Sequence, residues 1–428
     1  MTVVQKVPGT RSSFMAAVRR TAALNATATA ISTLAGILLA RWLGPGGRGD
    51  FAAAATYMTL ALLVFELGLS SSVVYFVSQH RAHHSDVVRT ASAVLVPLAA
   101  VAATVTAILA YTVFGGPGER HAAFLILPVS IVVALAGAPA TFALQALSLG
   151  RWNLVRLIYP VTFISLLLVA NARNELVASD VLALMTLALA AQTACSWLLY
   201  LKAFGARGRV DTALIRPMLG FGVLNMASTA PNSINARLDQ LVLALVVSSA
   251  ALGQYAVAVS LSALAAPLVV AFGNVAFPRI ARGEALQATV RAATRGSLVL
   301  SGGVLAVVVA TAPWIVPVVF GPGYEQAPHL LLLLAPGALV LSTNQVLGDL
   351  LRGLGHPARI AKREWAGVAV TALGLLALIP RFGVAGAAIT SSVAYWVVFI
   401  LLRRAVSRTV HAAVETANGS AEATQEPE

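Results

Sequence analysis

The chain has 428 residues, of which 58% are hydrophobic and 11% charged, and its net charge is +13. Soluble domains have about 45–50% apolar and about 25% charged residues, so this chain has too little polar surface to coat water-soluble cores. Its one cysteine, Cys195, excludes an intramolecular disulfide framework and a cysteine-based zinc cluster. The composition therefore predicts an all-α polytopic membrane protein.

A membrane span needs about 20 mainly apolar residues, and runs of this kind recur along the whole chain. We predict about twelve of them, at residues 22–40, 51–77, 90–114, 122–149, 157–170, 181–201, 217–248, 254–277, 296–319, 330–351, 365–379 and 383–402. The first run is long enough to span and follows Arg11, Arg19 and Arg20, so we predict an uncleaved first helix.

The orientation follows from the positions of the cations, because Lys and Arg in short loops favour the cytoplasmic side. With the N-terminus inside, most of the 29 basic residues fall in cytoplasmic segments. The exceptions are Arg41, Arg48, Arg120, Arg173 and Arg381 in outer loops and Arg237 within a span. We therefore predict two cytoplasmic termini and a basic face toward the anionic inner leaflet, with no role in binding nucleic acid.

An internal repeat divides the chain into two halves at a shift of about 204 to 208 residues. The segment LARWLGPGGRGDF at 39–51 aligns with LALVVSSAALGQY at 243–255, which places Gly49 opposite Gly253. Further along, FGGPGERHAAFLILP at 114–128 aligns with FGPGYEQAPHLLLLLAP at 320–336. Each half holds an even number of spans, so the repeat is parallel and a substrate path is expected between two six-helix bundles around a central cavity.

The repeat also defines the expected domains. We predict a cytoplasmic N-terminal segment over residues 1–21, a first six-helix bundle over 22–204 and a cytoplasmic linker over 205–216. A second bundle is predicted over 217–404 and a cytoplasmic tail over 405–428. The end of the tail is polar, acidic and without apolar periodicity, so we predict that it is disordered.

Several motifs resemble bacterial polysaccharide and O-antigen flippases, a branch of the multidrug/oligosaccharidyl-lipid/polysaccharide exporter superfamily. They are LARWLGPGGRGDF, FELGLSSSVVYFVSQ, Arg-Leu-Asp-Gln at 237–240, Gly-Gln-Tyr at 253–255, Phe-Pro-Arg at 277–279 and FGPGYEQA from Phe320. The resemblance runs from about Ala22 to Arg404 and implies a flippase in the bacterial cytoplasmic membrane. Its implied partners are a polyprenyl-diphosphate-linked saccharide, membrane lipids and polysaccharide-assembly proteins. Lipid II flippases of this superfamily usually carry two further helices, and no span remains here to supply them.

Polar residues inside spans are costly and usually face a cavity. The seventh span carries such residues at helical spacing, and the first span carries others at the corresponding position of its half. The predicted cavity residues are Asn25, Thr29, Ser32, Asn225, Ser228, Asn232 and Asn235. The structural alternative is that these side chains join helices by hydrogen bonds. Pro231 interrupts the seventh helix, so a bend is expected there.

Two acidic residues are candidates for coupling transport to a cation. Glu66 is predicted near the bilayer midplane, and Asp239 lies on the polar face of the seventh span. A carboxylate at that depth costs about 2.5 kcal/mol or more, so it must be protonated, paired or hydrated. We hypothesise that Glu66 or Asp239 takes up H⁺ or Na⁺; the alternative is a structural ion pair or a neutral packed acid.

Arg237 is the one basic residue predicted within a span, and its planar fork suits a diphosphate. In a regular helix it would point away from the polar face that carries Asp239. Either the helix is irregular there, or Arg237 pairs with a neighbouring helix, at Glu66 for example.

No catalytic arrangement and no cofactor site is predicted. His80, His83, His84 and Asp86 lack a fixed ligand spacing and are expected in a solvated loop, so no metal site is predicted. The sequence therefore favours a non-enzymatic transporter that flips a lipid-linked oligosaccharide or polysaccharide precursor by alternating access. The alternatives are a cation-coupled exporter of small drugs or metabolites and a membrane-embedded glycosyltransferase or ligase.

Overall fold

The computed structural model describes residues 11–79, 83–114, 118–173, 176–205, 207–269, 276, 280, 286–354, 356 and 358–423. Side chains are described from 23 to 412, without that of Asn25. His80 and the motif at 277–279 lie outside the described residues. Within the described ranges every regular element is helical and there is no strand.

Twelve helices and one short 3-10 turn follow one another along these ranges. They are α1 (Arg11–Phe65), α2 (Leu69–Gln79), α3 (His84–Thr112), α4 (Glu119–Leu147), α5 (Leu149–Asn171), α6 (Ala178–Phe204), α7 (Thr212–Asn235), α8 (Leu238–Val246), α9 (Ser249–Ser262), the turn (Ala263–Ala265), α10 (Leu286–Phe320), α11 (Ala327–Gly353) and α12 (Ala358–Ala423). Nine helical stretches in the described part of the chain are long and apolar enough to cross a membrane.

Two of those nine stretches cross the bilayer twice. Helix α1 is kinked at Gly44 and α12 at Gly383, where φ is 62° and 54°. A 55-residue helix would be about 80 Å long if straight, at about 1.5 Å per residue, which far exceeds a hydrocarbon core of about 30 Å. The broken pair α7 and α8 supplies one further crossing, so the predicted count of about twelve is confirmed.

Several predicted boundaries were wrong. Helix α5 begins at Leu149, directly after α4, so the expected loop before Leu157 is helical. The seventh span breaks at Ala236 and Arg237, whereas Pro231 lies inside α7. Pro231 removes one intrahelical hydrogen bond, but α7 continues through it to Asn235.

The tail also differs from the prediction of disorder. Helix α12 continues to Ala423, well beyond the predicted end of the last span. Alanine and glutamate recur in this segment and are strong helix formers, so the absence of apolar periodicity did not exclude a helix.

The two glycines that the repeat places opposite each other are in direct contact. A Cβ atom on Gly49 would overlap the carbonyl oxygen of Ser249, and one on Gly253 would overlap that of Pro45. The second segment of α1 therefore crosses α9 with backbone against backbone, as only glycine permits. We call the end of the bundle that carries this crossing and the Gly44 kink the outer end, following the predicted orientation.

The hydrophobic core joins the halves at the outer end. One cluster of buried side chains includes first-half residues such as Leu127 together with Leu243, Tyr255 and Leu331 of the second half. A separate cluster, with Leu350 and Leu402 among its members, fills the opposite end of the second half alone. The halves are therefore packed more continuously at the outer end than at the predicted cytoplasmic end.

Candidate translocation path and coupling site

A charged cluster ties the halves together at the outer end. The Nε of Arg120 donates to Asp50 at 2.8 Å, and its Nη atoms donate to the Ala244 carbonyl at 2.7 Å and to Ser249 Oγ at 2.9 Å. Ser249 Oγ also donates to Asp50 at 2.5 Å. Asp50 and Arg120 belong to the first half, whereas Ala244 and Ser249 belong to the second. We call this cluster the outer latch.

The loop between α10 and α11 adds to the same closure. The hydroxyl of Tyr324 donates to the Ala40 carbonyl at 2.7 Å, and Arg41 donates to the Val318 carbonyl at 3.0 Å. The backbone N–H of Gly323 donates to the exposed carboxylate of Glu325 at 2.9 Å, which holds its pKa below the ordinary range. The outer rim therefore carries a stable negative charge.

Two arginines from opposite halves interact electrostatically. Arg48, expected in an outer loop, lies in the second segment of α1, with its guanidinium 5.7 Å from the Phe51 ring. Arg237 occupies the break between α7 and α8, is exposed, and is close enough to Arg48 for their charges to interact. Within the described residues neither arginine has an ion pair, and Arg48 Nε is buried without a hydrogen bond.

The predicted polar face of the seventh span is divided among several contacts. Asn225 donates to Ser71 of α2 at 2.8 Å, and Ser228 donates to the Asn225 carbonyl at 2.7 Å. Asn232 lies near Glu364 of α12, close enough for the two side chains to interact. Asn235 is buried and accepts a hydrogen bond from Thr371 at 2.5 Å. The asparagines thus join α7 to neighbouring helices, while Ser228 remains partly exposed.

The polar residues of the first span are arranged differently. Thr29 and Ser32 are both exposed in the first segment of α1, which also exposes Leu34. The side chain of Asn25 lies outside the described residues. The structure therefore brings Thr29 and Ser32 to an open face and does not pair them with the α7 asparagines.

Asp239 lies in a closed hydrogen-bond network within the second half. It is 2% exposed and accepts hydrogen bonds from the Tyr255 hydroxyl, from Ser391 Oγ at 2.8 Å and from the Gln240 N–H at 2.7 Å. Because three donors occupy most of the about four acceptor sites of a carboxylate, and the group is buried, Asp239 has little room left for a hydrated cation.

Glu66 lies at a break in the second crossing, beside an open cavity. The helix is interrupted between Phe65 and Leu69, and Leu67 has a φ of 51°, which is rare for a residue other than glycine. The carboxylate accepts the N–H of Ser70 at 3.1 Å. It also lines a cavity of about 460 Å³ within the first half, together with Arg156 of α5.

The same break forms the second contact between the halves. Gly68 packs against the backbone of Gly222 in α7, and Ser72 Oγ donates to the Met218 carbonyl at 2.6 Å. We call this contact the inner seam. Within the described residues no ion pair joins Glu66 to Arg237, so the suggested pairing of these two residues is wrong, and Arg156 is the cation that shares the cavity of Glu66.

Sequence reasoning missed three arginines. Arg48 and Arg120 were placed in outer loops because LGPGG and FGGPG are typical turn sequences, and Arg156 was placed in a cytoplasmic loop. The spacing of Arg48 and Asp50 from Pro45 was the available signal, because proline is favoured in the first turn of a helix. The contacts of these arginines with other helices cannot be predicted from the residues that flank them in the sequence.

The fold is that of a multi-pass membrane protein, and it resembles solved structures of a flippase and of multidrug transporters. It is similar to the lipid II flippase MurJ in an inward closed conformation, with a TM-score of 0.75, 12% identity, and coverage of 90% of this chain and 87% of that one. It is also similar to an inward-facing MATE family transporter of the MOP superfamily, with a TM-score of 0.70, 12% identity, and coverage of 90% of this chain and 96% of that one. The MATE multidrug transporter DinF-BH matches with a TM-score of 0.66, 14% identity, and coverage of 95% of this chain and 98% of that one. At these identities the likeness shows the fold alone.

The family follows from the sequence match. Residues 20–284 match the family described as polysaccharide biosynthesis protein, and the chain belongs to this family. An uncharacterised membrane protein of Methanocaldococcus jannaschii is 33% identical over 97 residues, which cover 22% of this chain and 19% of that protein.

Proposed function

We propose that this protein translocates a lipid-linked oligosaccharide or polysaccharide precursor across the cytoplasmic membrane by alternating access. Arg48 and Arg237 carry the proposal: they are contributed by different halves, are close enough for their charges to interact, and form no direct ion pair within the described residues, although the Asp239 carboxylate also interacts with Arg237 at longer range. Two unpaired guanidinium groups in a membrane protein are costly, and a diphosphate would neutralise both.

The chemistry of the cargo fits this arrangement. Arg binds phosphate oxygens through a planar fork of donors, and a diphosphate offers oxygens to both arginines at once. A saccharide head is too polar for hydrocarbon and needs a polar path, for which Thr29, Ser32 and Ser228 provide exposed or partly exposed hydroxyls. The polyprenyl chain would remain in lipid during the transfer.

The alternative is a cation-coupled exporter of small drugs or metabolites, which the similarity to multidrug transporter folds supports. A cationic drug would approach two like charges at Arg48 and Arg237. Like charges in a poorly hydrated site repel strongly, so this alternative is disfavoured for cationic cargo.

Proteoliposomes separate the two functions. We expect flipping of a fluorescent polyprenyl-diphosphate oligosaccharide and no efflux of a cationic dye. Arg48→Gln and Arg237→Gln should each lower flipping by at least about tenfold, because a lost hydrogen bond to a charged group costs about 1.5–3 kcal/mol. Arg381→Gln, an exposed outer arginine, is the matched control and should flip normally. Dye efflux without flipping would support the exporter.

Of the two acidic candidates, we propose Glu66 as the coupling residue. It faces a cavity, whereas Asp239 is enclosed by three donors. Its carboxylate binds the first turn of α2, where a negative charge stabilises the helix, and α2 carries the inner seam. Uptake of H⁺ or Na⁺ at Glu66 would weaken that interaction and bias the contact between the halves.

The test measures flipping under an imposed pH or Na⁺ gradient. We expect Glu66→Gln to abolish the gradient dependence, and Asp239→Asn to retain it while lowering thermal stability through loss of buried hydrogen bonds. If only Asp239→Asn lost the gradient dependence of flipping, the coupling residue would be Asp239 of the second half. An unchanged dependence in both variants would reject coupling at either acid.

We also propose that both termini face the cytoplasm, that the bundles extend over residues 22–204 and 217–404, and that polysaccharide-assembly proteins are partners. The asymmetric distribution of Lys and Arg supports this orientation. Labelling of single cysteines at Arg404 and Glu325 in intact cells checks it. A membrane-impermeant reagent should label only the Glu325→Cys variant, and labelling at Arg404→Cys would reverse the assignment.

A further inference from the structure

A cavity lined by several cationic side chains lies away from the proposed path between the halves. Its volume is about 800 Å³, and residues of the second half alone line it. It opens between the start of α10 and the end of α12, at the predicted cytoplasmic end. Neither Arg48 nor Arg237 lines it, so the proposed path does not account for it.

Two helical stripes form the walls of this cavity. Residues three and four apart lie on one face of a helix, and both walls follow that spacing. The α10 wall consists of Val290, Arg291, Thr294, Arg295 and Leu298, and the α12 wall of Arg403, Val406, Ser407, Val410 and His411. Within the described residues the two helices pack extensively on α11 and make no comparable contact with each other. Leu347 of α11 therefore lies at the base of an open groove.

The charges in the groove have one sign. Arg291, Arg295 and Arg403 line it, and no acidic residue is among its described lining side chains. Within the described part of the chain, none of these arginines forms a hydrogen bond or an ion pair. Arg291 and Arg295 are four residues apart on one helix face and repel each other. The hydroxyl of Thr294 is buried without a hydrogen-bond partner.

The remaining lining is apolar. Val290, Leu298, Val406 and Val410 alternate with the arginines along the two walls, so the groove offers a cationic mouth and a hydrocarbon surface together. A free anion would use only the first of these features, whereas a lipid with a phosphate headgroup would use both. Basic pockets between transmembrane helices on the cytoplasmic side have this recognition chemistry.

We infer that this groove binds the phosphate headgroup of an anionic lipid in the inner leaflet, with the lipid chain on its apolar wall. A phospholipid and a polyprenyl phosphate present the same chemistry at this depth. Arg291 and Arg403 hold the phosphate from opposite walls, and the lipid fills the space that separates α10 from α12.

Native mass spectrometry of the full chain in detergent measures the binding directly. The probes are phosphatidylglycerol, undecaprenyl phosphate, phosphatidylcholine and inorganic pyrophosphate. We expect one retained anionic lipid for each protein molecule. Arg291→Gln and Arg403→Gln should each weaken its binding about fivefold, which corresponds to about 1 kcal/mol for each basic residue. Arg404→Gln changes the neighbouring exposed arginine, which does not line the groove, and should retain the lipid.

The outcomes distinguish the sources of the phosphate. Tighter binding of undecaprenyl phosphate would assign the groove to the substrate lipid, and tighter binding of phosphatidylglycerol to a structural lipid; both support the inference. Equal retention of phosphatidylcholine would overturn it, as would equal weakening by Arg404→Gln. Pyrophosphate bound as tightly as lipid would overturn the role of the apolar wall. A melting temperature like that of the unsubstituted protein shows that each variant is folded.

Discussion

The crossing of the two halves at Gly49 predicts how a single methyl group changes the balance between outward-closed and outward-open states. In Gly49→Ala the new Cβ would overlap the carbonyl oxygen of Ser249 and press on the N–H of Gly253. Both are backbone atoms, so neither can rotate away, and the helices must separate. Overpacking of this kind costs about 1–3 kcal/mol.

This cost applies to the closed state alone. The gain in helix propensity from Gly to Ala, about 0.5–1 kcal/mol, is present whether the outer end is closed or open and therefore cancels. The ratio of closed to open molecules should fall by the full overlap cost, about 5- to 150-fold. Gly253→Ala should act in the same way, because its Cβ would overlap the carbonyl oxygen of Pro45.

Electron paramagnetic resonance distances between the halves measure this shift. Spin labels at Thr112→Cys and Glu325→Cys, both exposed at the outer end, in a Cys195→Ala background report its opening. The matched control is Gly46→Ala, whose Cβ would meet no atom within 4 Å. We expect a longer distance population in Gly49→Ala than in Gly46→Ala. Identical distance distributions in the two variants would refute the reasoning.

Three further substitutions test other parts of the fold. Arg120→Gln should shift the same label distances toward the open state, because charged hydrogen bonds worth about 1.5–3 kcal/mol each are lost. Thr371→Val leaves the buried Asn235 oxygen without its 2.5 Å hydrogen bond. It should lower the free energy of unfolding by about 1–3 kcal/mol, seen as a lower melting temperature, whereas Thr371→Ser should not. Gly383→Ala meets no atom but forces a positive φ on alanine, so it should destabilise by about 1–3 kcal/mol; Gly303→Ala, with ordinary backbone and equal space, should not.

The sequence predicted the crossings well because the bilayer imposes their length. A hydrocarbon core of about 30 Å requires an apolar run of about 20 residues, and this requirement is local. The two halves were also predictable, since Gly49 and Gly253 recur at equivalent positions and contact each other. Their recurrence follows from a backbone crossing that no larger side chain permits.

The breaks were less predictable because tertiary contacts impose them. Apolar residues continue on both sides of Glu66, and the isolated Gly68 is by itself too weak a signal to predict the interruption before Leu69. The positive φ of Leu67 accompanies the close approach of Gly68 to Gly222, which lies in another helix. Likewise, the buried environment of Asp239 depends on Tyr255 and Ser391. A single sequence does not reveal which helices supply such partners.

The outer latch can be traced to a contact that both halves share. Asp50 accepts a hydrogen bond from Arg120, at the start of α4. The repeat, at a shift of about 204 to 206 residues, places Gln254 opposite Asp50 and Gln326 opposite Arg120. In the second half the Gln254 side chain accepts the backbone N–H of Gln326 at 3.0 Å, directly before α11. In each half, therefore, the residue at the first of these positions hydrogen-bonds to the residue at the second.

Of these two contacts only the first-half one is charged, and within the described residues both of its side chains also reach the opposite half: Arg120 donates to Ala244 and Ser249, and Asp50 accepts from Ser249. The crossing at Gly49 and Gly253 is apolar and nearly symmetric, whereas the charged residues of the outer latch, Asp50 and Arg120, both come from the first half. Charge-assisted hydrogen bonds hold a closed state firmly and are made and broken as units. Two similar bundles thus acquire a directional closure from asymmetric polar residues around a symmetric packing contact.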